Sequence, residues 1–298
     1  MMLTVIILTR DEALHIARAV NSVRPFADRI VVVDSGSTDQ TCQIAERLGA
    51  EILHRPWRNY ADQFNWAVEQ VSGRSDWIMR LDADEIVSPA LCAEIKQRLP
   101  ALTPEIAGVF VPRFMNFLGG PVLRGGMFPV QMLRLFRTGC GRCEARWMDE
   151  HIKVRGETVR FKGHILDDNL KPLGWWTDKH NSYAAREVVD LLNQQHGFLQ
   201  QDTISGAGTE AGRKRWVKEN LYARFPLGAR AVVYFLWRFI FRLGFLDSPQ
   251  GRSFHLLQGL WYRYLVDMKL REVRAYMRMH SADPPKAILA VLGIDVHK

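Results

Sequence analysis

Residues 77–85 read WIMRLDADE. Asp82, Asp84 and Glu85 put three carboxylates into four positions, directly after a run of Trp, Ile, Met and Leu. Acids this close repel one another and are costly to bury without partners. Clustered hard oxygen donors suit Mg²⁺ or Mn²⁺, ions that keep several waters and bind a substrate's phosphates beside one or two carboxylates. The pattern therefore predicts a divalent cation holding a diphosphate as the counter-charge. A lone D-x-D is weak on its own, and the plainer alternative is a solvated strand end. What lends it weight is its place at the end of a buried strand.

The elements that must position these acids alternate. LTVIIL (3–8), RIVVVD (29–34), AEIL (50–53) and WIMRLD (77–82) are short apolar runs, as expected of parallel strands buried on both faces. Between them, helical spacing predicts helices over 11–23 with Asp11 as N-cap, over 40–48 with Asp39 as N-cap and Gly49 as its stop, and over 60–71. That order predicts a right-handed parallel α/β sheet. A short helix follows Pro89, then strand-like stretches joined by Gly turns up to about residue 166, then a helix over 174–195. Residues 196–212 are polar and Gly-rich and predict a flexible linker.

Ligands of open parallel sheets bind beyond the carboxyl ends of the strands. Thr9 and Glu12 follow the first strand, Asp34 closes the second, and Asp82 and Asp84 close the fourth, so three separate stretches deliver polar groups to one edge. No GxGxxG follows the first strand and no GxxxxGK[ST] occurs, which argues against a dinucleotide dehydrogenase or a P-loop NTPase. Cys140 and Cys143 have metal or redox spacing, but no second ligand pair lies at a suitable distance, so a hairpin turn is the expectation. The start, MMLTVIILTRDE, lacks the basic lead of a secretory signal, and with few cysteines the expected compartment is the cytoplasm.

LTVIILTRDE, VVVDSGSTDQT and WIMRLDADE, in that order, resemble the opening of the family 2 glycosyltransferases of GT-A fold, and looser likeness continues through LRGGMFPVQMLRLFR, WMDEHI and KGHIL. The nearest likeness is to bacterial enzymes that build lipopolysaccharide core, capsule or exopolysaccharide. The resemblance implies a GT-A catalytic domain over 1–195, a Rossmann-like mixed α/β sheet flanked by helices, followed by a helical C-terminal region. It implies an inverting transfer from a nucleotide-diphosphate sugar, UDP favoured, to a glycan or lipid-linked acceptor, with Mn²⁺ or Mg²⁺ as cofactor. Thr9 and Glu12 would border the base and ribose, Asp34 the base, and Asp82 the ribose. Asp84 would bind the metal, with His164 as a further metal ligand. A general base is needed to take the acceptor's proton; WMDEHI offers Glu150, with Asp149 as runner-up. The chain departs from the pattern in the third helix, where Gln63 and Asn65 stand in place of an Arg-Asn pair, so Arg124 or Lys179 would supply positive charge to the donor. A sugar-phosphate nucleotidyltransferase shares the sheet and metal logic but needs a Gly-rich loop that TRDEALHI lacks. An inactive, binding-only version of the fold would not need the intact acids.

The net charge of +8 belongs to one region: residues 213–278 hold fourteen Lys or Arg against four Asp or Glu. Within it, LGARAVVYFLWRFIFRLGFL (227–246) and FHLLQGLWYRYLVDMKLREVR (254–274) are interrupted apolar runs that predict amphipathic rather than spanning helices. Residues 213–298 are therefore expected to form a basic aromatic helical region. It either packs with its arginines in solvent or docks on an anionic membrane with its arginines at lipid phosphates. The second reading makes the protein peripheral on the cytoplasmic membrane. Basic charge with aromatics also suits single-stranded nucleic acid, but no nucleic-acid motif is present.

Overall fold

Odd and even positions of the first strand face different layers, and this sets the architecture. The computed structural model describes residues 1–144, 151–199 and 226–296. Among them are β1 (Leu3–Thr9), α1 (Ile16–Val23), β2 (Arg29–Asp34), α2 (Thr41–Arg47), β3 (Glu51–His54), α3 (Tyr60–Val71) and β4 (Trp77–Asp82). Leu3, Val5 and Ile7 of β1, with Val32, Met79 and Leu81, pack on Ile16, Ala19 and Val20 of α1. Ile6 and Leu8, with Val31, Val33 and Ile78, pack on Phe64, Ala67 and Val71 of α3. Each strand is thus apolar on both faces because each face has its own helix layer.

The chain continues through β5 (Glu85–Val87), α4 (Pro89–Arg98), β6 (Ile106–Phe117), β7 (Gly120–Pro121), β8 (Val130–Arg137), β9 (Gly141–Cys143), β10 (Ile152–Val154), β11 (Glu157–Arg160) and β12 (Ile165–Asp168). The main sheet runs β3-β2-β1-β4-β8-β6-β12-β5. Its first four strands are parallel. It turns mixed at β8, which is antiparallel to both β4 and β6. The mixed α/β sheet expected from the sequence is present, with helices on both faces.

Three local expectations are corrected. Asp11 does not cap α1: it has φ 53, and its carboxylate accepts from the Thr38 N–H and hydroxyl at 2.7 and 3.1 Å. The helix starts later, at Ile16, after a turn in which His15 N and Ile16 N both donate to Glu12 O. The short strand β5 was missed: Glu-Ile-Val is too brief to register as a strand, and it exists because β12 pairs with it antiparallel. Asp39 is not the N-cap of α2 either: Gln40 holds that position, and Asp39, one residue earlier, accepts from Thr41 N at 2.9 Å. Cys140 and Cys143 are free thiols beside the turn that joins β8 to β9.

The described residues divide into two units. The first holds the sheet and ends at Lys171. The second holds residues 124–126 and everything described from Pro172 on. Its helices are α5 (Leu173–His196), α6 (Ala229–Leu236), α7 (Pro249–Phe254), α8 (Tyr262–His280) and α9 (Pro284–Leu292). Trp237–Phe241 and His255–Trp261 continue α6 and α7 as π-helical turns. Ala184, Val188 and Leu192 of α5 pack on Val266, Leu270 and Val273 of α8 and on Ala287 and Ile288 of α9. The helix expected over 174–195 therefore belongs with the C-terminal unit. Most of the expected linker lies outside the described residues.

Gly163, just before β12, packs so closely on α4 that an added Cβ would run into the backbone N and Cα of Leu91. Backbone cannot swing aside as a side-chain tip can. Gly163→Ala is expected to destabilise the first unit by about 1–3 kcal/mol, read as a lower urea midpoint. An unchanged midpoint would mean that this contact is loose in solution.

Candidate functional site

The parallel half of the sheet brings its strand ends to one edge. Thr9 lies opposite Asp34 in the β1–β2 ladder, and Leu8 lies opposite Asp82 in the β1–β4 ladder. Asp34 is 2% exposed. Its Oδ2 accepts from Gly36 N and Ser37 N, each at 2.9 Å. Its Oδ1 accepts from the Ser37 hydroxyl and, at 3.4 Å, from Thr9 Oγ1. Burial alone would raise this carboxyl; the Ser37 and Gly36 donors outweigh it and hold the group below the ordinary carboxylate range. Asp34 thus shapes the loop after β2 and is ionised there. Cys42 and the exposed His54 complete a group whose ligand atoms all lie within 4.8 Å of one another. The Cys42 thiol is pushed up to about 11, by burial first and by Asp34 next, and sulfur does not suit hard Mg²⁺ or Mn²⁺.

Asp82 and Glu85 face arginines. Tyr60 donates to Asp82 Oδ1 at 2.8 Å. Arg80 and Arg134 each place a guanidinium nitrogen 3.5 Å from Asp82 Oδ2. The Arg80 guanidinium also lies 4.2 Å over the Tyr60 ring. Glu85 pairs with Arg134, stands 3.9 Å from Arg113, and accepts from Asp82 N at 3.0 Å. Burial works to raise Asp82, but Arg80 and Arg134 together hold it well below the usual range. Glu85, 1% exposed, is pushed up to about 7 by burial against the pull of Arg134. The charge opposite two of the three clustered acids is therefore built into β4, β6 and β8. Sequence reasoning missed these partners. The available signal was an arginine in each of two apolar strands, WIMRLD and VQMLRLFR, since a buried charge demands a partner.

Asp84 differs from its neighbours. It sits half-buried on the turn between β4 and β5, where Oδ2 accepts from Asn169 Nδ2 at 2.9 Å and its backbone oxygen from Asp168 N at 3.0 Å. Arg113 acts on it only at longer range, and among the described residues it forms no ion pair, so it is the acid of the three best suited to a cation. One carboxylate at a sheet edge fits Mg²⁺ or Mn²⁺, which take the rest of their shell from water and phosphate. Asp82 fits poorly, because its oxygens already serve Tyr60, Arg80 and Arg134.

Glu12 proves to be a latch. Its Oε1 accepts from Lys171 Nζ at 2.8 Å and its Oε2 meets His15 Nδ1 at 2.6 Å. His15 Nε2 accepts from Leu170 N at 2.9 Å, so Nδ1 carries the proton given to Glu12. Arg18 binds the Asp168 carboxylate and backbone oxygen, both at 2.7 Å. The loop after β1 and the end of β12 are thereby fixed to one another beside Asp84.

The other expected residues fall elsewhere. His164 precedes β12, where it exchanges backbone and side-chain bonds with Ser88, and its ring meets Phe114 edge-on. Asp84 is bound to the far end of β12, roughly 13 Å away along a strand. The antiparallel β5–β12 pairing imposes this separation, so His164 is not brought to Asp84. Arg124 belongs to the second unit, where its backbone N donates to Asp247 at 3.1 Å. Lys179, also in the second unit, lies 4.7 Å over the Trp175 ring. Asp149 and Glu150 lie outside the described residues. The hairpin that brackets them is held: Asn65 grips Cys143 N and O, each at 2.9 Å, and Glu144 N donates to His151 O at 3.0 Å.

Residues 4–139 match the model of glycosyl transferase family 2. Similarity extends to the lipopolysaccharide core biosynthesis glycosyltransferase LpsC of Rhizobium meliloti, 33% identical over 61% of this chain and 69% of that protein. The succinoglycan biosynthesis protein ExoA of the same organism is 35% identical over 65% of this chain and 67% of its own length. An uncharacterized glycosyltransferase of Rickettsia bellii is 47% identical over 30% of each chain, so the match spans under a third of that relative. The chain belongs to glycosyl transferase family 2.

The Glu85 environment makes a pH prediction. Its folded value, about 7, lies above the ordinary 4.5, so folding takes up a proton between those two values. That contribution to stability is greatest below pH 4.5 and declines as pH rises to 7, by at most ~1.4 kcal/mol per pH unit. Glu85→Gln should flatten this slope in urea titrations. A slope identical to wild type would place the titration elsewhere.

Proposed function

We propose that the chain is an inverting glycosyltransferase that moves a sugar from a nucleotide-diphosphate donor, a UDP-sugar in the first instance, to a glycan or lipid-linked acceptor. The observation that carries this is the strand-edge set: Thr9, Asp34, Asp82 and Asp84 on adjacent carboxyl ends, within the stretch that matches the family. The names of LpsC and ExoA support cell-surface polysaccharide or lipopolysaccharide as the product class.

In this reading Asp34 takes an N–H of the base. Its Oδ1 is held by two hydroxyls, Thr9 and Ser37, which can rotate aside to admit that donor. Asp82, locked by Tyr60 and two arginines, is a rigid acceptor for the ribose. Asp84 holds Mg²⁺ or Mn²⁺ with the diphosphate; when bound, the ion offsets negative charge on the leaving group. Asn169 orients Asp84, and Glu12 keeps the adjoining loop in place. Glu150, or failing it Asp149, removes the proton from the acceptor hydroxyl as that oxygen bonds to the anomeric carbon and the carbon–phosphate oxygen bond breaks. The basic, aromatic second unit attaches the enzyme peripherally to the cytoplasmic face of a membrane, where a lipid-linked acceptor is found. No helix of the described residues is long and apolar enough to cross one.

Calorimetric titration with UDP and GDP, with and without Mn²⁺, tests the donor side. UDP binding should strengthen with Mn²⁺ in wild type and lose that gain in Asp84→Ala. Absence of binding by either nucleotide to folded protein would refute the reading. On the acceptor side, Glu150→Gln should cut kcat about 10²–10⁴-fold with donor affinity intact; near-normal turnover would pass the role to Asp149.

A further inference from the structure

The segment from α6 to α7 has its polarity reversed. Val232, Val233, Leu236, Trp237, Ile240 and Phe241 are all exposed, Phe241 at 76%, and Leu243, Phe245 and Leu246 continue the same exposure. Two of the arginines expected to face outward are instead inside. Arg230 is buried against Asp267, and Arg238 is 0% exposed, bonded to Gln258 and stacked 5.1 Å from the Phe254 ring. Burying guanidinium groups while leaving aromatics and branched aliphatics in water is unfavourable on both counts. It becomes favourable once the outer medium is apolar.

We infer that this face, residues 232–246, inserts into the acyl region of an anionic bilayer, with Trp237 at the headgroup level. This rests on the membrane part of the function proposed above and changes its physics: hydrophobic insertion, not arginine–phosphate contact, supplies most of the binding. The charge pattern selects the occupant. Between Leu227 and Leu246 there is no Asp or Glu, and among the described residues Arg242 within this segment and Arg252 on α7 after it are exposed. Cations around an apolar patch match lipid phosphates. A second copy docking through the same patch would set those arginines against their own kind. Trp237, Phe241 and Phe245 could stack on bases, but the other six exposed apolar residues are aliphatic and offer nothing to stack on, which disfavours a nucleic acid.

Flotation of the full chain on phosphatidylglycerol-containing and on purely phosphatidylcholine vesicles, at low and high salt, tests the inference. Wild type should float on the anionic vesicles and retain most of that binding at high salt. Ile240→Asp with Phe241→Asp should lower partitioning at least about tenfold under both conditions, with circular dichroism and UDP affinity unchanged. Arg242→Gln with Arg252→Gln should reduce only low-salt binding. Flotation abolished by salt and indifferent to the Asp pair would overturn insertion while leaving peripheral attachment intact. No flotation, with UDP binding preserved, would overturn attachment as well but spare the transferase reading. A dimer in sedimentation that the Asp pair dissolves, without flotation, would assign the face to a second copy.

Discussion

Asp82, Glu85 and Arg134 form a buried charge cluster on which the strand edge depends. Two carboxylates three residues apart would repel if left alone, and Arg134 reaches both. Arg80 and Arg113 close the ring from β4 and β6. Such pairs seldom add much stability, because desolvation offsets the Coulomb gain, yet removing one member strands the others as unpaired buried charge. What the cluster provides is a fixed position: the turn at Asp84 emerges between two anchored acids and so projects one carboxylate in a set direction. That carboxylate bonds Asn169, and among the described residues it forms no ion pair, though the Arg113 charge acts on it at longer range.

The loops around the edge are braced by one another more than by the sheet. Asp11 holds Thr38, Asp39 holds Ala13 N, and Glu12 holds Lys171. Loops from three different strand ends are thus cross-linked by carboxylates. A site that must bind an anion with several fixed donors benefits from this, since little ordering is left to be done on binding.

The sequence made the parallel half legible because each of its strands is a short apolar run buried on both faces, with a helix between. Thr9, Asp34, Asp82 and Asp84 follow from those strand ends and from the family resemblance. Pairing partners were not legible. His164 looked available to Asp84 until the antiparallel β5–β12 register put a strand's length between them. Glu12 is held by Lys171 and His15, far and near in sequence, one on each of its oxygens. Arg80 and Arg134 were visible as charges in apolar strands, but nothing local told which acids they meet.

The C-terminal unit shows a different limit. A helical wheel groups Arg230, Arg238 and Arg242 on one arc and so reports amphipathicity, but it cannot report which face turns inward. That depends on α8, where Asp267 lies in a position to take Arg230 and also the N–H of Gly228. Gly259 allows α7's π-helical continuation to approach Arg238, whose guanidinium stands 3.4 Å from where a Cβ would be. Once Arg230 and Arg238 are committed inward by an acid, an amide and a glycine, the apolar side has no place but outward. The exposed face is then a consequence of how the cations are satisfied.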